Sequence, residues 1–273
     1  MVVEILIVLI SISFTTLLTY FLIPVGNGYH YFAPFLLLIA GYILGMIIMW
    51  CVLFLFSLPF KEDYRHTHKK PSAWANFWLS ESIAYISNHA GNRVKVVSKV
   101  ALPNERYLIV CNHRSKFDPM ILTQLYGKKK LAFISKPSNF KIPIGHRFMW
   151  GSFYLSIDRY DKMQSLQILK DGAEYLEKGL TNVGVFPEGT RSETNELGPF
   201  HEGVFIMATK SQRPIVICSF MGTEKISKNF PKRPTKITLQ ILDVLYPKDY
   251  EGKIVKEISD YCYKVIKDSL TDI

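Results

Sequence analysis

Two uninterrupted apolar runs open the chain. Ile5–Ile23 is apolar apart from Ser and Thr, whose hydroxyls bond back to helix carbonyls, and Phe32–Leu58 runs 27 residues without a charged side chain. A helix needs about 20 apolar residues to cross a bilayer core, so both runs are long enough and the second has length to tilt. Between them, Pro24–Tyr31 is short, uncharged and turn-forming, which predicts a helical hairpin. A cleaved signal peptide is the other reading of the first run. It has no basic start and no small-residue cleavage site, and a second span follows it, so retention is the expectation.

The next segment, Pro71–Asn88, carries Trp74, Phe77, Trp78 and Tyr85 at helical spacing. It reads either as an interfacial amphipathic helix with tryptophans at headgroup level or as a helix packed on a core. From Arg93 the period changes. Short β-branched or aromatic runs at Val94–Val100, Tyr107–Cys111, Leu131–Ser135, Val183–Phe186, Ile215–Phe220 and Lys236–Leu242 predict strands. Helical patterns fall at Pro119–Tyr126, Met163–Lys178, Gly203–Ser211 and Ile254–Leu270. The alternation predicts an α/β fold, a mixed and mostly parallel sheet flanked by helices, behind an N-terminal transmembrane hairpin. Three regions follow: a hairpin over 1–60, a juxtamembrane basic segment and helix over 61–92, and a catalytic domain over 93–273.

Charge sharpens this division. The chain nets +10, yet Glu4 is the only charged side chain before Leu58, so the rest nets +11, 33 basic against 22 acidic residues once Glu4 is set aside. A basic body behind an apolar leader fits an anionic membrane surface. Nucleic acid also attracts positive charge, but no zinc-ligand pattern or RNA-binding aromatic motif accompanies it, and no nucleic-acid partner is expected. Lys61, Arg65, Lys69 and Lys70 follow the second run, offset by Glu62 and Asp63. By the positive-inside bias this flank is cytoplasmic, which makes a multi-pass cell-membrane protein with its catalytic domain on the cytoplasmic side. Asp63, His66 and His68 read as part of this basic flank rather than as metal ligands, and no metal is expected. Four scattered cysteines with no CxxC pair argue against a disulfide framework.

Two short stretches carry chemistry. Asn112-His113-Arg114-Ser115-Lys116-Phe117-Asp118 directly follows a strand, so His113 stands at a strand's carboxyl end, where open α/β sheets bind ligands. A histidine can take a proton from a hydroxyl near neutral pH when a carboxylate on its other ring nitrogen fixes tautomer and orientation. Asp118 is spaced for that role, and equally for capping the helix that opens at Pro119. Ser115 lies nearby, but no Gly-x-Ser-x-Gly elbow occurs in the chain, so the base is expected to act on a substrate hydroxyl. The second stretch, Val185-Phe186-Pro187-Glu188-Gly189-Thr190-Arg191-Ser192, also follows a strand. A turn at Gly189 can aim backbone N–H groups at an anion, and Arg191 offers a bidentate donor for phosphate. Glu188 would repel phosphate, so its expected partner is Arg191 or a sugar-alcohol hydroxyl. The ending of a Walker loop is absent.

Together the two stretches resemble a known family. His113 to Asp118 resembles the His-x4-Asp motif of the phospholipid and glycerol acyltransferases, and Phe186–Ser192 resembles their Glu-Gly-Thr-Arg-Ser motif closely. Ile157-Asp158-Arg159 and the strand Pro214-Ile215-Val216 look like two weaker blocks in the expected order. The resemblance spans roughly Val94–Thr223 and within the family is nearest to the 1-acyl-sn-glycerol-3-phosphate acyltransferases. It implies a general base at His113 oriented by Asp118. It also implies a glycerol-phosphate pocket from Glu188, Gly189, Thr190 and Arg191, with charge added by Arg159 and Lys136. The implied reaction moves a fatty acyl group from acyl-CoA or acyl carrier protein, as co-substrate, to lysophosphatidic acid at a lipid bilayer, giving phosphatidic acid with no bound cofactor. Other acceptors, such as glycerol 3-phosphate, keep every motif; a thioesterase would turn the same histidine on water, and a lipid-binding scaffold would not need it. Two departures stand out. Lys136 is followed by Pro137-Ser138-Asn139 where the family reads Lys-x-Glu-Leu, and His201-Glu202 follows Pro199-Phe200 where basic residues are usual.

Overall fold

The computed structural model of the protein describes residues 2–22, 33–62, 64–192 and 196–271. It divides into two compact units, Met1–Pro59 and Phe60–Ile273. The expected linker Pro24–Tyr31 and Asp63 lie outside the described residues.

The first unit is two helices, α1 (Val2–Leu22) and α2 (Ala33–Ser57). Gly41 and Gly45 of α2, four apart, let the backbones meet: a Cβ on either would stand 2.9 Å from the carbonyl oxygen of Ser11 or Ile7 respectively. Ser11 Oγ donates to the Leu38 carbonyl at 3.1 Å. Partners that fall on α1 as they rise on α2 make the pair antiparallel, so the hairpin expectation describes these two helices. Small residues at a helix crossing suit a bilayer, where close packing replaces the hydrophobic drive between helices. The mean hydropathy values of the two helices, 2.3 and 2.6, are high enough for membrane spans. Their outer faces expose Ile5, Leu9, Ile12, Ile43, Ile47, Trp50 and Phe54.

The second unit runs α3 (Tyr64–Thr67), α4 (Ala73–His89), β1 (Asn92–Ser98), β2 (Leu108–Cys111), α5 (Asp118–Tyr126), β3 (Leu131–Ser135), α6 (Gly145–Gly151), β4 (Leu155–Ser156) and α7 (Lys162–Glu177). It continues with β5 (Asn182–Val185), α8 (Ile206–Ser211), β6 (Ile215–Met221), α9 (Ile226–Asn229), β7 (Thr235–Leu245), α10 (Pro247–Tyr250) and α11 (Val255–Thr271). The strands form one sheet in the order β1-β7-β6-β2-β5-β3-β4. Strands β6, β2, β5, β3 and β4 run parallel, as do β1 and β7, and among the described residues only the β6–β7 pair is antiparallel. The mixed, mostly parallel sheet is therefore as the alternation predicts. Every residue of β2 and β5 is buried, because helices cover both faces of a parallel sheet. Leu108, Val110, Val183, Val185, Ile215 and Ile217 pack with Phe153, Leu176, Phe205 and Met207 into the core.

Among the described residues, five short elements escape the sequence pattern: α3, α6, β4, α9 and α10. β4 is only two residues long, too short to show a period, and α6 follows a Pro-rich turn. The expected helix Gly203–Ser211 begins instead as a 3₁₀ turn at Glu202–Phe205. α4 buries Ala75, Trp78, Leu79 and Glu81 while Trp74 stays exposed. Its Glu81 accepts from Lys128 Nζ at 2.6 Å. This is the core-packed face among the two readings of that helix.

Replacing Gly45 by Val is expected to push α1 and α2 apart at a cost of about 1–3 kcal/mol. The measurement is the yield of an engineered Ser11→Cys/Leu38→Cys cross-link in membranes, which should fall; an unchanged yield would show that the glycine does not set the approach.

Candidate active site

The adjacency of β2 and β5 brings the two motifs together. Leu108–Val110 pairs with Val183–Val185 in parallel register, so both chains leave the sheet at the same edge, side by side. β2 is held on its other side by Asn112, whose buried side chain donates to the Phe220 carbonyl at 3.1 Å and accepts from the Phe220 N–H at 2.7 Å. This amide continues the β2–β6 ladder past the last strand residue and fixes where His113 begins.

His113 Nδ1 lies 2.9 Å from Asp118 Oδ2. The same oxygen accepts the backbone N–H groups of Arg114 and Ser115, both at 2.7 Å. Asp118 is fully buried and the imidazole is 17% exposed. α5 has no side-chain cap: its Asp118 carboxylate turns back onto the preceding loop, not onto the helix N–H groups. Of the two roles open from the spacing, the structure therefore displays the orienting one. Three donors converge on one carboxylate oxygen, and a carboxylate beside Nδ1 holds the proton there and leaves Nε2 as the basic nitrogen. The ring stacks on Phe186 at 4.4 Å between centroids, and Phe186 stacks on Phe133 at 5.7 Å. Gly184 makes room for that column, since a Cβ there would stand 2.8 Å from Phe133 Cδ1.

Glu188 ties the motifs to each other. Its Oε1 accepts the His113 N–H at 2.6 Å and its Oε2 the Gly198 N–H at 2.9 Å. Ser192 N–H donates to the His113 carbonyl at 2.9 Å, a second tie. In the structure the partners of Glu188 are the backbone N–H groups of His113 and Gly198, and the residue is only 6% exposed. Burial pushes its carboxyl above the ordinary value, against the two N–H donors, which favour the charged form.

The turn beyond Glu188 is open. Gly189 has φ +73°, and a Cβ there would lie 2.8 Å from His201 Cδ2 and 3.7 Å from an Arg159 guanidinium nitrogen. Only glycine suits both the backbone and the crowding. Arg159, predicted from a separate block, thus reaches the Glu-Gly-Thr-Arg turn. Thr190 and Arg191 are exposed beside it. Lys136 leaves β3 at the same edge, with an exposed side chain just before the 3₁₀ turn Pro137–Lys141. His201, noted from sequence only as a departure from the family pattern, packs on the turn through its N–H to the Pro187 carbonyl at 2.8 Å. A left-handed glycine flanked by bulky neighbours is the signal that would have found it, and it exists only in three dimensions.

Among the described residues no serine, threonine or cysteine side chain hydrogen-bonds the His113 ring, whose partner is Asp118. Burial pushes the Cys111 thiol well above its ordinary value and Cys218 up to about 12, so neither supplies thiolate near neutral pH. Ser115 Oγ is 7% exposed by residue and accepts the Phe117 N–H at 3.3 Å. Among the described residues no three His, Cys, Asp or Glu side chains form a metal-binding group. An oriented imidazole beside an arginine-lined turn is equipped to deprotonate a hydroxyl on an anionic molecule.

Comparison with known proteins places this site in a family. Residues 93–221 match the profile of the family described as Acyltransferase. A 1-acyl-sn-glycerol-3-phosphate acyltransferase of Chlamydomonas reinhardtii is 30% identical over 200 residues, 71% of this chain and 57% of its own. The enzyme of that name from Saccharomyces cerevisiae is 30% identical over 185 residues, 67% of this chain and 60% of its own. The chain thus spans less than two thirds of either relative. The crystal structure of the 1-acyl-sn-glycerophosphate (LPA) acyltransferase PlsC from Thermotoga maritima shares the fold, with a TM-score of 0.55 at 23% identity over 72% of this chain and 78% of that one. The strand-end histidine, the glutamate-bearing turn and strands β2 and β5 that join them all lie within residues 93–221, the part of the chain that matches the Acyltransferase family.

Proposed function

We propose that this protein is a membrane-bound 1-acylglycerol-3-phosphate O-acyltransferase, transferring a fatty acyl group from an acyl thioester to lysophosphatidic acid in phospholipid synthesis. The observation that carries the reading is the His113–Asp118 pair at 2.9 Å, with no protein hydroxyl or thiol hydrogen-bonded to the imidazole among the described residues. Nε2 of His113 takes the proton of the acceptor's free hydroxyl as that oxygen attacks the thioester carbonyl. The tetrahedral intermediate collapses with loss of the thiolate, which takes the proton from the His113 imidazolium to leave as the free thiol of coenzyme A or acyl carrier protein and restores the neutral imidazole. Asp118 keeps the imidazole in the productive tautomer and steadies the imidazolium that forms. Arg159, Arg191 and the Gly189–Thr190 turn receive the acceptor's phosphate, with Lys136 at the outer side. Glu188 acts from behind, holding the backbone of His113.

The two apolar helices support a place in the membrane, where both fatty substrates reside. The basic flank after α2 supports a cytoplasmic catalytic unit.

Three outcomes are expected. His113→Ala lowers turnover by about 10²–10⁴-fold, the usual share of a general base, with the protein still folded in membranes; turnover near that of the native protein would overturn the mechanism. In a membrane assay offering lysophosphatidic acid and glycerol 3-phosphate in parallel, with acyl-CoA and acyl carrier protein donors, lysophosphatidic acid is the faster acceptor. A preference for glycerol 3-phosphate would reassign the acceptor, and free fatty acid released without acceptor would favour a thioesterase. The third concerns Glu188. Its carboxyl binds a proton more tightly folded than unfolded, so its contribution to stability is full below the ordinary value of 4.5 and is lost as pH rises through the raised one. Glu188→Gln is therefore expected to flatten that part of the melting-temperature profile while lowering kcat through the displaced His113. An unchanged profile would show that the carboxylate is not what titrates.

A further inference from the structure

The sheet edge that carries His113 is framed by two segments with an excess of basic residues. On one side, residues 136–157 follow β3 and contain Lys136, Lys141 and Arg147 but no Asp or Glu. On the other, the chain leaves β6 through Glu224 and then holds Lys225, Lys228, Lys232, Arg233 and Lys236, with no further acid until Asp243. Because β6, β2, β5 and β3 are parallel neighbours, both segments emerge at the same edge, about 14 Å apart across three strand spacings, with His113 between them.

Each segment carries an apolar tip on a firm base. Ile142 is 50% exposed, ahead of Ile144, which has φ +62°, a backbone state a β-branched residue rarely adopts. The turn is closed by the Gly145 N–H on the Pro143 carbonyl at 2.6 Å and footed by Phe140 stacked on Trp150 at 4.1 Å. Phe230 is 52% exposed between Lys228 and Lys232. Beneath it Ile226 and Asn229 are buried; Asn229 Nδ2 donates to Thr235 Oγ1 at 3.0 Å and its Oδ1 accepts from Arg233 Nε at 2.9 Å. Arg93 of β1 stands in register with Lys236 and adds another cation to this side. Of the acids near these segments, Glu224 faces Arg114 at 3.8 Å, Glu62 lines a cavity with Lys141 and Arg147, and Asp158 and Asp161 follow β4 at the sheet's margin.

We propose that this edge is a membrane-docking surface, seated on anionic lipid headgroups through the Ile142 and Phe230 tips that flank His113. Apolar side chains ringed by cations enter the headgroup–acyl boundary, and each nearby Lys or Arg adds attraction to anionic lipid. Both tips are held by packing and hydrogen bonds, so no ordering cost accompanies their entry. The inference deepens the acyltransferase reading and rests on it for the lipid nature of the partner. The seat brings the base to the depth at which a lysolipid's glycerol hydroxyl lies.

The test uses the full chain in vesicles. Cys111, Cys218 and Cys262 are buried and Cys51 is exposed, so Cys51→Ser gives a background for nitroxide labels at Ile142→Cys, Phe230→Cys and Ile254→Cys. Ile254 is 64% exposed beyond the far end of β7 and serves as the reference. In vesicles of phosphatidylglycerol and phosphatidylcholine, labels at 142 and 230 should collide with dissolved oxygen in preference to a water-soluble nickel chelate, while 254 behaves as aqueous. Lys225→Glu/Lys228→Glu/Lys232→Glu, or pure phosphatidylcholine, should remove that preference at 230. Aqueous behaviour at both tips in anionic vesicles would overturn the proposal, and immersion of one tip alone would overturn the two-sided seat. Labels that stay aqueous on vesicles but are immobilised by acyl carrier protein would assign the surface to an acidic protein instead. None of these readouts depends on turnover, so failure of the acyltransferase assay and failure of docking are separable.

Discussion

One carboxylate joins the two halves of the site. Glu188 accepts the backbone N–H groups of His113 and Gly198 at 2.6 and 2.9 Å, and it does so from a buried position where its own charge is costly. A buried carboxylate without these donors would be protonated or expelled, and a buried N–H without an acceptor costs about 1–3 kcal/mol. Each requirement therefore satisfies the other, and the result is a strand-end loop whose histidine backbone does not wander. The side chain named by the sequence as a candidate ligand holds the backbone of His113 in place.

The imidazole is constrained from three further directions. Asp118 fixes its Nδ1 edge, Phe186 fixes its face, and Asn112 extends the β2–β6 ladder to its starting point. Positioning accounts for a large share of catalysis between two bound substrates, because a preset geometry removes motional freedom before the reaction begins. The aromatic column from Phe133 through Phe186 to His113 depends in turn on Gly184, a residue with no side chain to argue from.

Charge and apolarity are segregated for the same end. The hairpin helices hold one charged residue between them and pack through glycines, whereas the second unit carries the basic residues, some of them where strands β3 and β6 leave the sheet. An enzyme whose substrates stay in a bilayer needs both a foothold in the apolar layer and an orientation on its surface. In the proposed reading, separate parts of the chain supply them.

Local pattern alone was enough to determine much of this protein. Two long apolar runs, the alternation of strands and helices from Arg93, and the placement of both motifs after strands follow from hydrophobic period and turn chemistry, which act between near neighbours. The five-residue spacing of His113 and Asp118 is likewise local, and the expected contact formed. Tertiary structure decided what depends on strand order. β5 inserts between β2 and β3, so residues about seventy apart share an edge; no periodicity encodes that order, because hydrogen bonds between strands are indifferent to sequence distance. For the same reason Glu188 finds the N–H of His113, Arg159 reaches Gly189, and His201 closes on the turn. The sequence determined which groups could act, and the sheet decided which of them meet.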